Sequence, residues 1–470
     1  MIEHSSILSA IWKHAETTPD KVALVWNDEV VSYSKLKLRI LSSAAALQSQ
    51  GLSAGDCLGI IAKKGLDFVY IYFGAHLIGA INVVLDPEAN EKRLAYICSL
   101  TQPKLIVDTL EFVEGAIPTP VNDLSQGDTA DIVFTTGTTG AAKGVLLSHF
   151  NIFSSADNIN GFIGNGSDEV EILGLPLCHS FGLGRLRCTL LKGATLVVLP
   201  NFANVKLFFN FIERYKATGF GMVPAIWAYI RKISGKRIVK YAPQIRYIEI
   251  GSAAMPLELK KELCEFFPTT RICHHYGLTE ASRAAFMEYH MCEDDLRTIG
   301  REVSDKVEIR ILDEKGKEVP QGESGEICIK GNIVMKGYFK PEETSVAYFG
   351  EYFRTGDEGY RASNGNLYLV SRKKELINVG GKKVSPVEVE DQIMALGVED
   401  CAVVGIPDPE GILGEVPKAY ILQGGTLLTF DEIRARVSSK LEPYKIPVVW
   451  EWIDAIPKTA SGKKQRLALR

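Results

Sequence analysis

The chain has 470 residues, of which 46% are hydrophobic and 23% charged, with a formal net charge of −4. That length exceeds what one hydrophobic core supports, so two or three domains are expected, and the composition is that of a globular protein. A slightly acidic chain lacks the Lys and Arg excess of a nucleic-acid-binding surface, which leaves a small-molecule enzyme as the better-fitting class.

The opening residues mix acids, histidines and the Pro19-Asp20 turn instead of the basic and then apolar regions of a secretory signal, so the cytoplasm is the expected location. Nine cysteines are scattered without CxxC pairs, a distribution that reads as reduced thiols and gives no pattern for a disulfide framework or a zinc site. Residues 68–85 contain no Lys, Arg, Asp or Glu and approach the ~18 residues of a membrane span. His76, Asn82, two glycines and the change to a β-branched run before Asp86-Pro87 predict a buried helix running into a buried strand instead, with no span.

From about residue 20 to 300, short apolar runs (LGIIA, INVVL, KLIVD, DIVFT, TLVVLP, YIEIG) alternate with helical patterns such as NVKLFFNFIERYKA. The alternation predicts an α/β fold of mainly parallel sheets covered by helices. From Val307 the rhythm becomes that of a small antiparallel β-rich unit, about residues 300–371. After residues 371–374 (SRKK) a compact αβ pattern through Pro386, Ala402 and residues 430–441 marks a small α+β C-terminal domain, residues 375–470.

The most informative local string is DIVFTTGTTGAAKG, residues 131–144, a buried strand entering a loop of Thr135, Thr136, Gly137, Thr138, Thr139, Gly140 and Lys143. Glycines let backbone N–H groups approach phosphate oxygens, threonines add donors and Lys143 adds charge. Because Lys143 precedes Gly144, this is no Walker A loop. Read alone, the string is equally a solvated Gly/Thr turn.

Together with six further motifs in order, the chain resembles the adenylate-forming superfamily of acyl-CoA synthetases, aryl-acid ligases, luciferases and peptide-synthetase adenylation domains. The motifs are LPLCH (175–179), GSAAMP (251–256), YGLTE (276–280), YFRTGD (352–357), SRKK (371–374) and PKTASGK (457–463). The resemblance covers nearly the whole chain. It implies an adenylation domain over residues 1–371, a mobile C-terminal domain over residues 375–470 and a hinge at Lys374. It further implies ATP-dependent activation of a carboxylic acid to acyl-AMP and pyrophosphate, followed by transfer to CoA.

The same resemblance assigns Lys463 to the adenylation step, Thr279 to the α-phosphate and Glu280 to Mg²⁺. Tyr276 is placed against adenine, Asp357 and Arg372 against the ribose, and His179 as a gate between the two half-reactions; Lys374 is counted with the nucleotide-binding set. Each has a plainer reading in isolation: a capping Thr, a surface Glu, a turn-forming Asp, a tail lysine. Two departures stand out, Ser371 where many relatives have Gly and Asn378 where many have Lys.

The acid pocket is expected from the segments after His179, around residues 223–227, near residues 250–255 and before Tyr276. Their apolar character favours an aliphatic or aromatic acid, and the absence of an acidic residue in residues 177–184 disfavours an α-amino acid. Arg185 and Arg187 read as surface ion pairs or, alternatively, as partners of a second substrate carboxylate. CoA is the expected acceptor. Carrier-protein phosphopantetheine and an amine remain alternatives, as does a non-catalytic nucleotide-binding protein.

Overall fold

The computed structural model describes residues 6–121, 124–135, 142–292, 295–459 and 462–470. Two large sheets carry the first two-thirds of the chain. The first runs in the order Ala285–Glu288, Arg271–Tyr276, Tyr247–Ile250, Gly219–Met222, Val170–Leu173, Thr195–Val198, Val22–Trp26, Glu29–Ser32. Its interior pairs are parallel and its two edge pairs antiparallel. The second runs Gly337–Tyr338, Gly144–Ser148, Thr129–Phe134, Ile81–Leu85, Cys57–Ile61, Leu105–Val107 and is parallel except at the first two pairings. The apolar runs of the sequence are these strands, and helices pack their faces into extended cores.

The uncharged stretch divides as its texture requires. Helix Leu66–Leu77 is buried almost all round and strand Ile81–Leu85 follows it. Asn82 Nδ2 donates to Tyr72 O at 3.0 Å, which satisfies the amide donor inside the core, while Oδ1 has no hydrogen-bond partner among the described residues. Burying each of Phe68 and Phe73 stabilises by roughly 1.5–3 kcal/mol. Among the described residues no helix is long and apolar enough to cross a membrane, and the cysteines form no disulfide.

The β-rich unit is antiparallel: Val307–Leu312, Gly325–Gly331, Tyr352–Arg361 and Tyr348–Phe349 in order, with Leu367–Arg372 also paired to Tyr352–Arg361. The small C-terminal domain has its own core around Val389, Val403, Ile421 and Val437. It combines strands Cys401–Pro407, Glu415–Leu422 and Val449–Ile453 with helices Pro386–Met394 and Phe430–Ser438. Ser148 and Asn151 form a capping box that starts helix His149–Ile163, and Asn151 Nδ2 then donates to Asn332 O and Val334 O, both at 2.9 Å. This fastens the β-rich unit to the second sheet beside the site.

Candidate active site

Several strand ends converge on one cleft. Its walls include Val133, His179, Phe181, Ser252, His275, Thr279 and Arg283 from the large domain, and Lys463 from the small one. Lys463 is half-buried there. Burial lowers its pKa below the usual lysine value, and neighbouring Arg372 adds to this, while Asp357, Glu280 and Glu375 oppose it. The loop carrying it is pinned from both sides: Lys463 N donates to Thr459 Oγ1 at 3.1 Å, and Lys464 Nζ lies 3.1 Å from Glu390 Oε2. Arg466 donates from Nε and Nη2 to the two Glu390 oxygens at 2.7 and 2.8 Å, and from Nη1 to Glu375 Oε2 at 2.7 Å.

One flank of the cleft is a triangle of expected residues. Tyr276 Oη donates to Asp357 Oδ2 at 2.7 Å, and Arg372 Nε lies 3.3 Å from Asp357 Oδ1. Arg372 is set opposite Asp357 by strand register. Ser371, which precedes it, has no positive φ, so it stands where Gly would without backbone strain.

The other flank gathers Thr135, Lys143, Thr279 and Glu280. Thr135 closes the base of its loop, exchanging a backbone hydrogen bond with Lys143 at 3.0 Å and accepting from Lys143 N at Oγ1 at 3.1 Å. Arg93 Nη2 donates to Thr135 O at 2.9 Å. Lys143 Nζ sits 4.5 Å from the centre of the Tyr338 ring, and Tyr338 Oη donates to Glu280 Oε1 at 2.8 Å. Tyr338 is thus a site residue that sequence reasoning missed. Its Gly337-Tyr338 dipeptide carries no pattern, and only pairing with Gly144–Ser148 brings it here. Thr136, Gly137, Thr138, Thr139 and Gly140 lie outside the described residues. Lys374 is exposed on the turn after Leu367–Arg372 and is not among the cleft walls.

His179 is half-buried just before helix Ser180–Lys192, its Nε2 without a hydrogen-bond partner among the described residues and its pKa lowered by burial. It shares a corner with Asp86 and Cys178, whose potential ligand atoms lie within 4.8 Å of one another. Burial pushes the Cys178 thiol up to about 12, so it is a protonated thiol at neutral pH.

Arg185 and Arg187 are corrected by the structure: both are buried and neither is a surface group. Helix Ser180–Lys192 turns them into the core. Arg185 grips Glu171 through Nε (2.7 Å) and Nη2 (2.5 Å), and reaches Glu249 Oε2 with Nη1 at 3.1 Å. Arg187 pairs with Asp131 and donates from Nε to Tyr72 Oη at 3.0 Å. Arg185 has Nε, Nη1 and Nη2 all committed to protein acceptors, which makes it a poor partner for a second substrate carboxylate. The cleft is also more polar than its sequence segments imply, with Ser180, Ser252, His275, Ser282 and Arg283 in its walls. Residues 223–227 are not among the described walls.

A lysine carried on a pinned loop to a hydroxyl and a carboxylate, beside a Tyr–Asp–Arg triangle, is a geometry suited to charge developing on phosphate oxygens. The AMP-binding enzyme family matches residues 11–117 and 108–339, and the AMP-binding enzyme C-terminal domain matches residues 388–463. The chain belongs to the AMP-binding enzyme family. Within it, 4-coumarate-CoA ligase 1 of Narcissus pseudonarcissus is 29% identical, over 100% of this chain and 94% of that protein.

Two solved structures of the family superpose over nearly the whole chain. The o-succinylbenzoate CoA synthetase of Bacillus subtilis in complex with its acyl-adenylate intermediate has a TM-score of 0.88 and 25% identity, covering 98% of this chain and 97% of that one. ATP-bound MatB from Rhodopseudomonas palustris has a TM-score of 0.91 and 26% identity, covering 99% and 98%. This AMP-binding enzyme is an AMP-forming acid–CoA ligase, with a carboxylic acid, ATP with Mg²⁺, and CoA as the substrates typical of the family.

Proposed function

We propose that this ligase activates an aliphatic or aromatic acid, not an α-amino acid, at the cleft between its two domains, and passes the acyl group to CoA. The observation that carries the reading is the placement of Lys463 in the wall that also holds Thr279 and His179, within electrostatic reach of Arg372, Asp357 and Glu280. A substrate carboxylate oxygen attacks the α-phosphorus of ATP. The bond from that phosphorus to the bridging oxygen breaks, and pyrophosphate leaves. Lys463 and the loop residues Thr135 to Gly140 with Lys143 offset the charge accumulating on the phosphate oxygens. Tyr276 packs on the adenine, and Asp357 and Arg372 hold the ribose.

The residues present fit Mg²⁺: Glu280 is a buried carboxylate oriented by Tyr338 and adjoining the Thr279 hydroxyl. One carboxylate completed by substrate phosphates is a set this cation accepts, and when bound it would neutralise phosphate charge. In the second half-reaction the CoA sulfur attacks the acyl carbon and AMP departs. Lys374, exposed at the turn between the domains, is the proposed hinge for that exchange, and His179 the gate. The described walls contain no carboxylate, which supports exclusion of an α-amino acid, since its buried ammonium would lack a partner.

The test is pyrophosphate release from ATP against a panel of aliphatic, aryl and dicarboxylic acids, each with and without CoA, with products identified by mass. Acyl-CoA formed from one acid class supports the reading. Acyl-AMP that CoA does not consume redirects it to a carrier-protein thiol or an amine, and nucleotide binding with no turnover overturns it.

A further inference from the structure

Beside the cleft, one corner gathers three side chains that no step of the adenylation uses. Asp86 follows strand Ile81–Leu85, and Cys178 and His179 lead into helix Ser180–Lys192. A turn at Leu177 and Cys178 bends the chain there, so two neighbouring side chains reach the same corner, where a straight strand would send them to opposite faces. One ligand atom from each of the three residues lies within 4.8 Å of the other two, and among the described residues this is the one group of three with that spacing.

The polar atoms of this corner are held in place yet lack strong partners. Asp86 Oδ1 accepts from Glu88 N at 2.9 Å, which fixes the carboxylate. The Cys178 side chain is buried, and the Asp86 carboxylate beside it adds to the burial that keeps its proton on. By contrast, Cys188 and Cys401 direct their thiols to backbone carbonyls, Ala156 O and Glu390 O, each at 3.7 Å. His179 Nε2 is hidden from solvent with no hydrogen-bond partner among the described residues, an unmet polar atom that burial makes costly. Two nearby cations are engaged elsewhere: Lys64 Nζ donates to Leu199 O at 3.2 Å and Pro200 O at 2.8 Å, and Arg93 Nη2 to Thr135 O at 2.9 Å.

A carboxylate oxygen, a sulfur and an imidazole nitrogen are the donor set of Zn²⁺ and its transition-metal neighbours, unlike the oxygen ligands that suit Mg²⁺ at Glu280. Tetrahedral bonds of about 2.0–2.3 Å place ligand atoms roughly 3.3–3.8 Å apart, so closure from the observed spacing asks each side chain for a shift of about 1 Å or less. On binding, the Cys178 S–H bond breaks, a metal–sulfur bond forms and the proton passes to solvent. Asp86 and His179 bring lone pairs, and water completes the set. The charges of Asp86 and Glu88 offset repulsion from Lys64, Arg93 and Lys463. Three protein ligands make this an open site, not a closed structural one.

We propose that Asp86, Cys178 and His179 bind one ion of the Zn²⁺ class, and that the bound ion restrains His179 in the cleft wall and slows thioester formation. The binding half stands on the geometry of the corner alone. The inhibitory half rests on the ligase reading and on His179 as its gate. A metal–nitrogen bond fixes the orientation of the ring, and a ring fixed at this corner cannot swing between the two half-reactions.

The test uses the full chain with zinc chloride and, as a spectroscopic probe, cobalt(II) chloride. The expected result is one bound ion per chain by titration calorimetry and a sulfur-to-cobalt charge-transfer band in the near ultraviolet. Cys178→Ser is expected to lose the band and to bind Zn²⁺ about tenfold or more weakly; Asp86→Asn is expected to weaken binding by a similar factor with the band kept. Glu280→Gln should leave band and affinity unchanged, which separates this site from that of Mg²⁺. With Mg²⁺, ATP, CoA and an accepted acid, stoichiometric Zn²⁺ is expected to slow acyl-CoA formation several-fold more than pyrophosphate exchange. A zinc-selective chelator should reverse the effect, and Cys178→Ser should blunt it. No cobalt–sulfur band in the unsubstituted chain, or an undiminished band in Cys178→Ser, overturns the proposal and leaves the ligase reading intact. A bound ion without slowed thioester formation overturns the inhibitory half. Absence of turnover with every acid overturns the ligase reading and the inhibitory half with it, while the spectra decide the site.

Discussion

The two domains each bury a carboxylate among cations, and the two clusters are built for different work. Glu249 in the large domain is enclosed by a helix and neighbouring strands, and its partners Arg185, Arg283 and His275 are all nearly inaccessible. Glu390 in the small domain is held mostly by the C-terminal tail through Lys464 and Arg466. The first cluster fixes the floor of a pocket. The second fixes a loop whose cargo is a single lysine. Removing one member of the former should therefore appear in stability, and of the latter in rate.

The comparison breaks most visibly at Glu249. Glu249→Gln strands two buried guanidinium groups and is expected to destabilise the large domain by about 3–5 kcal/mol, read by denaturant unfolding. A smaller loss than at surface positions would show that the network is not closed. Lys463→Ala should cut acid-dependent pyrophosphate exchange by about 10²–10³ while leaving the unfolding midpoint unchanged. Unchanged exchange would remove Lys463 from the chemistry.

Glu390→Gln sharpens the contrast. It is expected to slow exchange by roughly tenfold through a displaced Lys463 loop, with acid KM little altered. Lys374→Pro is expected to leave exchange near its starting rate while thioester formation falls several-fold, about the scale of a gating step. Equal loss in both half-reactions would count against a hinge.

The smallest effect concerns pH. Lys463 has a folded pKa lowered by burial, so as pH rises its charge is lost earlier than that of an ordinary lysine. The alkaline limb of the exchange profile is expected to fall below the usual lysine range. A limb at or above that range would mean that Lys463 is not the titrating group.

Much of this was legible in the sequence, and the missing part has a common cause. The uncharged run of residues 68–85 yielded its helix and strand because a β-branched run and Asp86-Pro87 differ in kind from a membrane span. The motifs brought Tyr276, Asp357 and Arg372 together on the page before they met in space. Arg185 and Arg187 were misread because a helix pattern does not reveal which long side chains turn inward. A signal did exist: Glu249 interrupts the apolar run YIEIG, and Asp131 opens DIVFT. An acid inside a buried strand demands a cation, and these two arginines supply it. Tyr338 gave no such signal, since its value comes wholly from a pairing distant in sequence.

That pairing has a consequence for assembly. Gly337–Tyr338 covers the free edge of the second sheet along Gly144–Ser148. A growing chain that has passed residue 148 must wait for the β-rich unit before this edge is capped, and contacts so far apart in sequence are slow to form. During synthesis the exposed strand is the natural place for two unfinished chains to join edge to edge. The tyrosine that steadies Glu280 in the finished enzyme arrives with the two-residue strand that ends that hazard.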